Sequence, residues 1–597
     1  MGLSRWTVAA VLLQLASRAS AHGHDEGHDM DMKMPEAPQH NDGEISPYDM
    51  PSYAGLGQHQ TQIFAHIALM VLAWFFILPI ASMFSIARSR YALPVQFLFL
   101  IVNGLGLLFG TVYNINTPDL YVHNAHHRIG WIATWMVTAL VITNLLFCYS
   151  RRAKQTTGPA GERAAFLPVS VENMAQHNSE PYAEYRWSGH GRQDSSDSST
   201  LHSRDDSPTA VGRRDTLDEF EKPAPEPEPE DDEELQLPHR PGRQFRWLRI
   251  RRITFVDKYL SARMPNLVST KVFRAVKLAY NVLDRLILLL GFITMVTGFV
   301  TYCGLFRANN VFTGLAHFIK GGIFFWYGLL TLGRWMGCFA DLGWAWNVKP
   351  SRNEVAQWKS RIPSAEFTES FVIWLYGASN VFLEHLAAWG GNWSAQDFEH
   401  VSIAIMFFGG GLCGMLAESP TIRRCLNTVV DDMLARPDVR TGEDLERREA
   451  PKQYTTSVNP MPALIIILLG VMMSSHHQNS MVAAQVHSQW GILLVGFGVA
   501  RMCTYLLMFL SPPKSIYPSR PPTELVASFC LISGGIIFCA SARDVVHYME
   551  QTGLMAMFVL TVTCGFTAFI MAYEIIVLSL KGWATRKESK ALASSKF

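Results

Sequence analysis

The chain of 597 residues carries 51 Lys and Arg against 50 Asp and Glu, a formal net charge of +1, with only 17% of residues charged and 49% hydrophobic. Soluble domains average about 25% charged residues, and a nucleic-acid binder needs a basic stripe as its electrostatic footprint. An ordinary soluble chain and a nucleic-acid partner are therefore set aside. Nine cysteines, most of them inside apolar blocks (Cys148, Cys303, Cys413, Cys503, Cys530, Cys539, Cys564) and without CxxC spacing, imply neither a disulfide framework nor a zinc ribbon.

Residues 1–21 hold Arg5, an apolar run from Trp6 to Leu15 and the small-residue end Ala19-Ser20-Ala21, the pattern of a cleaved signal peptide. A luminal His/Met-rich tail (22–60) follows. Apolar stretches of spanning length then occur near 62–86, 95–116, 128–149, 280–303, 312–334, 368–390, 400–418, 461–475, 487–510, 524–541 and 555–580. The fold class is all-α: a polytopic helical membrane protein of about 11 transmembrane helices.

A translocated amino terminus puts the tail in the lumen and the carboxy terminus in the cytosol. The positive-inside rule agrees, because Arg88, Arg90, Arg151, Arg152, Lys154, Arg334, Lys349, Arg352, Arg423, Arg424, Lys514, Arg520, Lys581, Arg586 and Lys587 all fall in cytosolic connections. The sequon Asn392-Trp393-Ser394 falls in a luminal loop, as a glycoprotein requires.

The spans group into a three-helix module (61–150), a two-helix continuation (276–350) and a six-helix carboxy-terminal module (351–597). Between the first two lies a segment (151–275) with SDSS repeats and the acidic run Glu221 to Glu234, which reads as a disordered cytosolic linker able to recruit cytosolic partners. Its basic end, Arg240 to Arg252, mixes cations with Phe245, Trp247, Leu248 and Ile250, as expected of a segment lying on anionic membrane lipids.

Of twenty histidines, four (His177, His190, His202, His239) sit in the linker, and this topology sends the others to luminal segments or luminal helix ends. Imidazole is the commonest metal ligand, and ionisable groups are costly within a membrane. His66 lies about one turn into the first helix, while His123, His126 and His127 precede the third. Antiparallel packing brings both to one depth. Two neutral imidazoles facing across a gap are what a six-coordinate haem iron requires, and Gly130 lets a flat macrocycle approach the backbone. His59 would share the face of His66 if the helix began early.

The run AHIALMVLAWFFILPIASMFSIARSRY (Ala65 to Tyr91), with HHRIGW (His126 to Trp131), resembles the cytochrome b561 superfamily. That resemblance implies a helical bundle, haem b held by His66 with His126 or His127, and electron transfer from a small electron donor. The intervening helices PVQFLFLIVNGLGLLFGTV and LLLGFITMVTGFV lack the histidines of the family's second haem, so one haem and no complete transmembrane wire is implied. Over its length the chain also resembles fungal YTP-type integral membrane proteins, on the motifs LEHLAAW (Leu383 to Trp389) and HHQNSMVAAQVHSQWG (His476 to Gly491).

Two further groupings suggest copper, zinc or iron. Glu384-His385 and Glu399-His400 flank one luminal loop, and His476, His477 and His487 bracket another; carboxylates and imidazoles suit all three metals. Interfacial histidines simply hydrogen-bonded at headgroup depth are the alternative. In the tail, His22 at a new amino terminus with His24 at position three offers a Cu(II) site, with Met30, Met32 and Met34 behind it for Cu(I). Lys320, Arg501 and Glu574 fall within spans, where helix pairing or snorkelling accounts for each.

Three functions remain open: a b561-like redox protein or oxidoreductase component of the secretory pathway (Golgi, vacuole or plasma membrane), a metal-handling membrane protein, or a non-enzymatic scaffold acting through its linker. Transport would need a polar path to the cytosolic side, and the sequence shows little of one. No Ser-His-Asp arrangement, phosphate loop, dinucleotide fingerprint or HExxH occurs.

Overall fold

In the computed structural model the described residues are 50–156, 270–307, 311–387, 393, 395–434, 456–475, 478 and 480–593. The stretch expected to be a signal peptide (1–21), His22, His24, the sequon Asn392, His476, His477 and most of the 151–275 segment lie outside them. So do the side chains of Glu384 and His385, whose backbone is helical.

Eleven long helices follow the apolar runs: α1 (Gln60–Ile86), α2 (Ala92–Asn116), α3 (His126–Thr156), α4 (Thr270–Cys303), α5 (Val311–Met336), α6 (Ala365–Ala387), α7 (Ala395–Glu418), α8 (Met461–Ser475), α9 (Met481–Leu510), α10 (Thr523–Ala540) and α11 (Ala556–Ala593). In hydrocarbon every backbone N–H and C=O must be satisfied within the segment, and apolar runs of this length meet that only as helices. Among the described residues nine of them are long and apolar enough to cross a membrane, and α8 is a shorter apolar helix.

Residues 50–142 and 276–587 form one compact unit, and all the side-chain contacts below lie inside it. The second unit (143–275 and 588–597) contains, among the described residues, the remaining ends of α3, α4 and α11.

Within the first unit α1 packs on α2, α6 on α7, α5 on α10, and α9 on both α8 and α10. The α6–α7 pair closes to backbone contact: a Cβ on Gly377 would collide with the backbone of Ala404 to Phe408, and one on Gly411 with that of Trp374. Such small-residue contacts are how membrane helices gain van der Waals packing without a hydrophobic drive between them.

Helix α1 is interrupted by a π segment, Val71–Ile77, ahead of Pro79. Proline has no amide to bond the carbonyl four residues back, and a π turn is one way a helix absorbs the mismatch. Its start differs from one expectation. His59 is left-handed (φ 54°) and precedes the helix, so it does not share the face of His66. The last helix runs to Ala593, so the basic residues Lys581, Arg586 and Lys587 are helical.

Candidate functional site

The chain alternates direction, so the start of α1, the end of α2, the start of α3 and the end of α4 meet at one end of the first bundle. There His66 and His126 face each other with ring centroids 6.4 Å apart and planes at 76°. Each ring is held by its Nδ1. His66 Nδ1 lies 2.8 Å from the Gly106 carbonyl oxygen. A carbonyl only accepts, so Nδ1 carries the proton and Nε2 keeps the lone pair. His126 Nδ1 is 3.3 Å from Thr297 Oγ1, whose own proton goes to the Thr294 carbonyl at 3.0 Å. The same tautomer follows for His126.

Two glycines make these contacts possible. A Cβ on Gly110 would stand 2.6 Å from His66 Nδ1, and one on Gly298 would stand 3.0 Å from His126 Cε1. Gly130, one turn past His126, has nothing within 4 Å of where its Cβ would be. His127, the other imidazole at the start of α3, is exposed. Over this end lies a polar cover: the Arg307 guanidinium stacks 5.1 Å above the Tyr121 ring and donates to the Pro51 carbonyl at 2.9 Å, and the Tyr121 hydroxyl donates to the Leu305 carbonyl at 2.6 Å.

Deeper in this bundle a few polar side chains pair across the helices. Trp74 Nε1 donates to Asn103 Oδ1 at 2.9 Å, and Asn103 Nδ2 donates to Thr134 Oγ1 at 3.3 Å. Further from the histidines, Ser82, Gln96 and Asp284 line a small cavity closed by Leu78, Phe99 and Ile287. Except for Asp284, which adjoins Arg285, these residues sit singly among apolar neighbours, and only packing puts them on facing surfaces.

The carboxy-terminal helices carry a second imidazole pair. His317 near the start of α5 and His487 near the start of α9 have ring centroids 6.4 Å apart at 84°. His487 Nδ1 is 2.8 Å from the Ala483 carbonyl. Stacked aromatics crowd this pair: Trp490 lies on Phe538 at 4.3 Å, and Phe538 is 5.7 Å from His317. His487, expected at the very start of its span, lies nearly two turns inside α9, because that helix begins at Met481. His317 belongs to no motif in the chain; its only sequence signal is a position early in a span, like that of His66. His400 is half-buried near the start of α7. Among the described residues no three His, Cys, Asp or Glu side chains form a metal-holding group.

At the opposite end a buried chain of charges crosses four helices. Arg334 of α5 bonds Glu366 at 3.0 Å and Glu369 at 2.6 Å, both on α6. Arg501 of α9 donates to Glu369 at 3.2 Å and forms an ion pair through Nε with Glu524 of α10 at 2.9 Å. No side chain in the chain is more than 10% exposed. Trp346 lies under both guanidiniums, 4.5 Å from that of Arg334 and 5.1 Å from that of Arg501. Arg334 was expected in a solvated connection; it is buried because Glu366, Glu369 and the Trp344 carbonyl, 2.8 Å from its Nε, satisfy it there. Arg501 is paired, as expected of an intramembrane charge.

Residues 290–582 match the family profile described as Protein YTP1-like, C-terminal, and residues 48–149 match a domain of unknown function, DUF2427. An uncharacterized membrane protein of Schizosaccharomyces pombe is 32% identical over 528 residues, 88% of this chain and 94% of its own. An uncharacterized membrane protein of Saccharomyces cerevisiae is 39% identical over 50% of this chain and 47% of its own. The protein YTP1 of the same yeast is 24% identical over 48% of this chain and 52% of its own. No solved structure matches.

Proposed function

The chain belongs to the YTP1-like family of fungal membrane proteins, and on that footing we propose that it is a b-type haem redox protein of the secretory pathway, its haem held between His66 and His126 at a luminal membrane face. The facing imidazoles carry this reading. A metal ion about 2 Å from one nitrogen of each of two rings puts the ring centroids on the order of 6 Å apart, and the observed spacing is 6.4 Å.

The donor set also fits. Each ring commits Nδ1–H to a helix oxygen and keeps Nε2 as a lone-pair donor, the outer hydrogen bonding typical of metal-ligating histidine. Gly110 and Gly298 admit the imidazoles, and the open space beside Gly130 suits a flat macrocycle. When bound, a haem supplies a one-electron couple. The protein's own contribution is to fix both rings, to cover the site through Tyr121 and Arg307, and to keep water from the bundle below. Its electrons come from a small donor or a partner, so the chain acts as an oxidoreductase component.

Purified full-length protein should give a b-type reduced-minus-oxidised spectrum with one haem per chain. His66→Ala and His126→Ala should abolish it, and His127→Ala should leave it. A haem-free wild type overturns the reading.

A second reading, metal-ion handling, is favoured by the His317–His487 pair, whose imidazoles face each other among the rings of Trp490 and Phe538. Copper or zinc bound in the wild type and lost in His317→Ala supports it. Equal metal content in both excludes it.

A further inference from the structure

The buried charge chain has one carboxylate too many. In order it reads Glu366, Arg334, Glu369, Arg501, Glu524, with the ion pairs alternating. Guanidinium does not lose its proton in a protein, so the chain holds two fixed positive charges against three carboxylates. Four members, ending at Arg501, would already tie α5, α6 and α9 together with no net charge. The fifth adds an uncompensated negative charge where water is excluded, and the penalty for a buried ion is several kcal/mol.

The position of that excess is visible at Glu524, which is 0% exposed. Its Oε1 accepts from Thr504 Oγ1 at 2.7 Å and faces Arg501 Nε at 2.9 Å. Its Oε2 is buried and has no hydrogen-bond partner. Beside it, Thr504 and Thr523 hydroxyls lie 2.6 Å apart. The groups facing the chain from the packed helices are Tyr327 from α5, Tyr505 from α9 and Glu418 from α7, which takes the Ser364 hydroxyl at 2.9 Å. None of them is a cation. Among the described residues no third cation pairs with these carboxylates.

We propose that this cluster is a binding site for one small alkali cation, seated at Glu524 Oε2. Carboxylate and hydroxyl oxygens are donors for a hard cation and poor ones for a soft metal. The site is independent of the imidazole pairs: Arg501 is fourteen residues along α9 from His487, about 21 Å at the helical rise. It lies wholly within residues 290–582, the part matched as YTP1-like.

The test uses full-length protein in nanodiscs, with the thermal midpoint measured across pH in choline, lithium, sodium and potassium chloride at fixed ionic strength. One of the three salts raises the midpoint by several degrees over choline, saturably, with one ion bound per chain by equilibrium dialysis. Glu524→Gln keeps the shape, removes the excess charge and abolishes the salt response. A wild type without stoichiometric alkali binding overturns the proposal whether or not the variant folds. So does a folded Glu524→Gln that keeps the response, since a purely structural clamp predicts that.

Discussion

Replacing Gly110 by alanine puts a methyl group 2.6 Å from His66 Nδ1, whereas alanine at Gly130 meets nothing within 4 Å. Overpacking of this kind costs about 1–3 kcal/mol. Gly110→Ala should lower the unfolding midpoint and the haem content together, and Gly130→Ala should leave the midpoint unchanged. A second pair of measurements concerns Thr297, which holds His126 without touching any ligand. Losing such an outer hydrogen bond costs roughly 10–100-fold in metal affinity. Thr297→Val should therefore weaken haem retention by that factor in a haem-transfer titration while Thr297→Ser restores it; equal retention in both would remove Thr297 from the site. His66 was legible because a histidine early in an apolar run is conspicuous. The choice between His126 and His127 was not, since neighbouring helical positions point about 100° apart and only packing says which one turns inward.

At the scale of single helices, the apolar runs predicted the spans closely because spanning length is itself the signal. Helix ends and faces were harder. Left-handed backbone at His59 ends the face that would have carried it to His66, and the start of α9 at Met481 places His487 nearly two turns inside a helix expected to begin at it. The α6–α7 contact was invisible for a different reason: a glycine in an apolar run does not reveal whether it faces lipid or another backbone. Gly411→Leu should force these helices apart, at about 1–3 kcal/mol or more, and reduce folded yield in detergent. Gly409→Leu on the same helix, where nothing lies within 4 Å, should be tolerated. Equal yields from the two would mean that α6 and α7 are not packed through their glycines.

For the molecule as a whole, the alternating helices separate two chemistries: imidazole pairs at one end and buried ion pairs at the other. The histidine end could be anticipated from the sequence, because one residue type recurs there. The charged end could not: Arg501 stood out inside a span, but its partners come from three other helices, and Arg334, Glu366, Glu369 and Glu524 each resemble an ordinary boundary charge. This polarity makes His123 and Lys514, both exposed, markers of opposite faces. In a cysteine-free background, His123→Cys should react with an impermeant thiol reagent from the luminal side and Lys514→Cys from the cytosolic side. Labelling of both from one side would contradict the topology. Removing residues 155–240 should leave any haem signal intact, which separates redox chemistry from a scaffold role carried by the linker.

The most direct measurement is the visible difference spectrum of purified full-length protein, taken with iron analysis and repeated for His66→Ala, His126→Ala and His127→Ala. The account predicts one b-type haem per chain in the wild type and in His127→Ala, and none in the other two. A wild type without haem, or one whose haem survives the loss of His66, contradicts it.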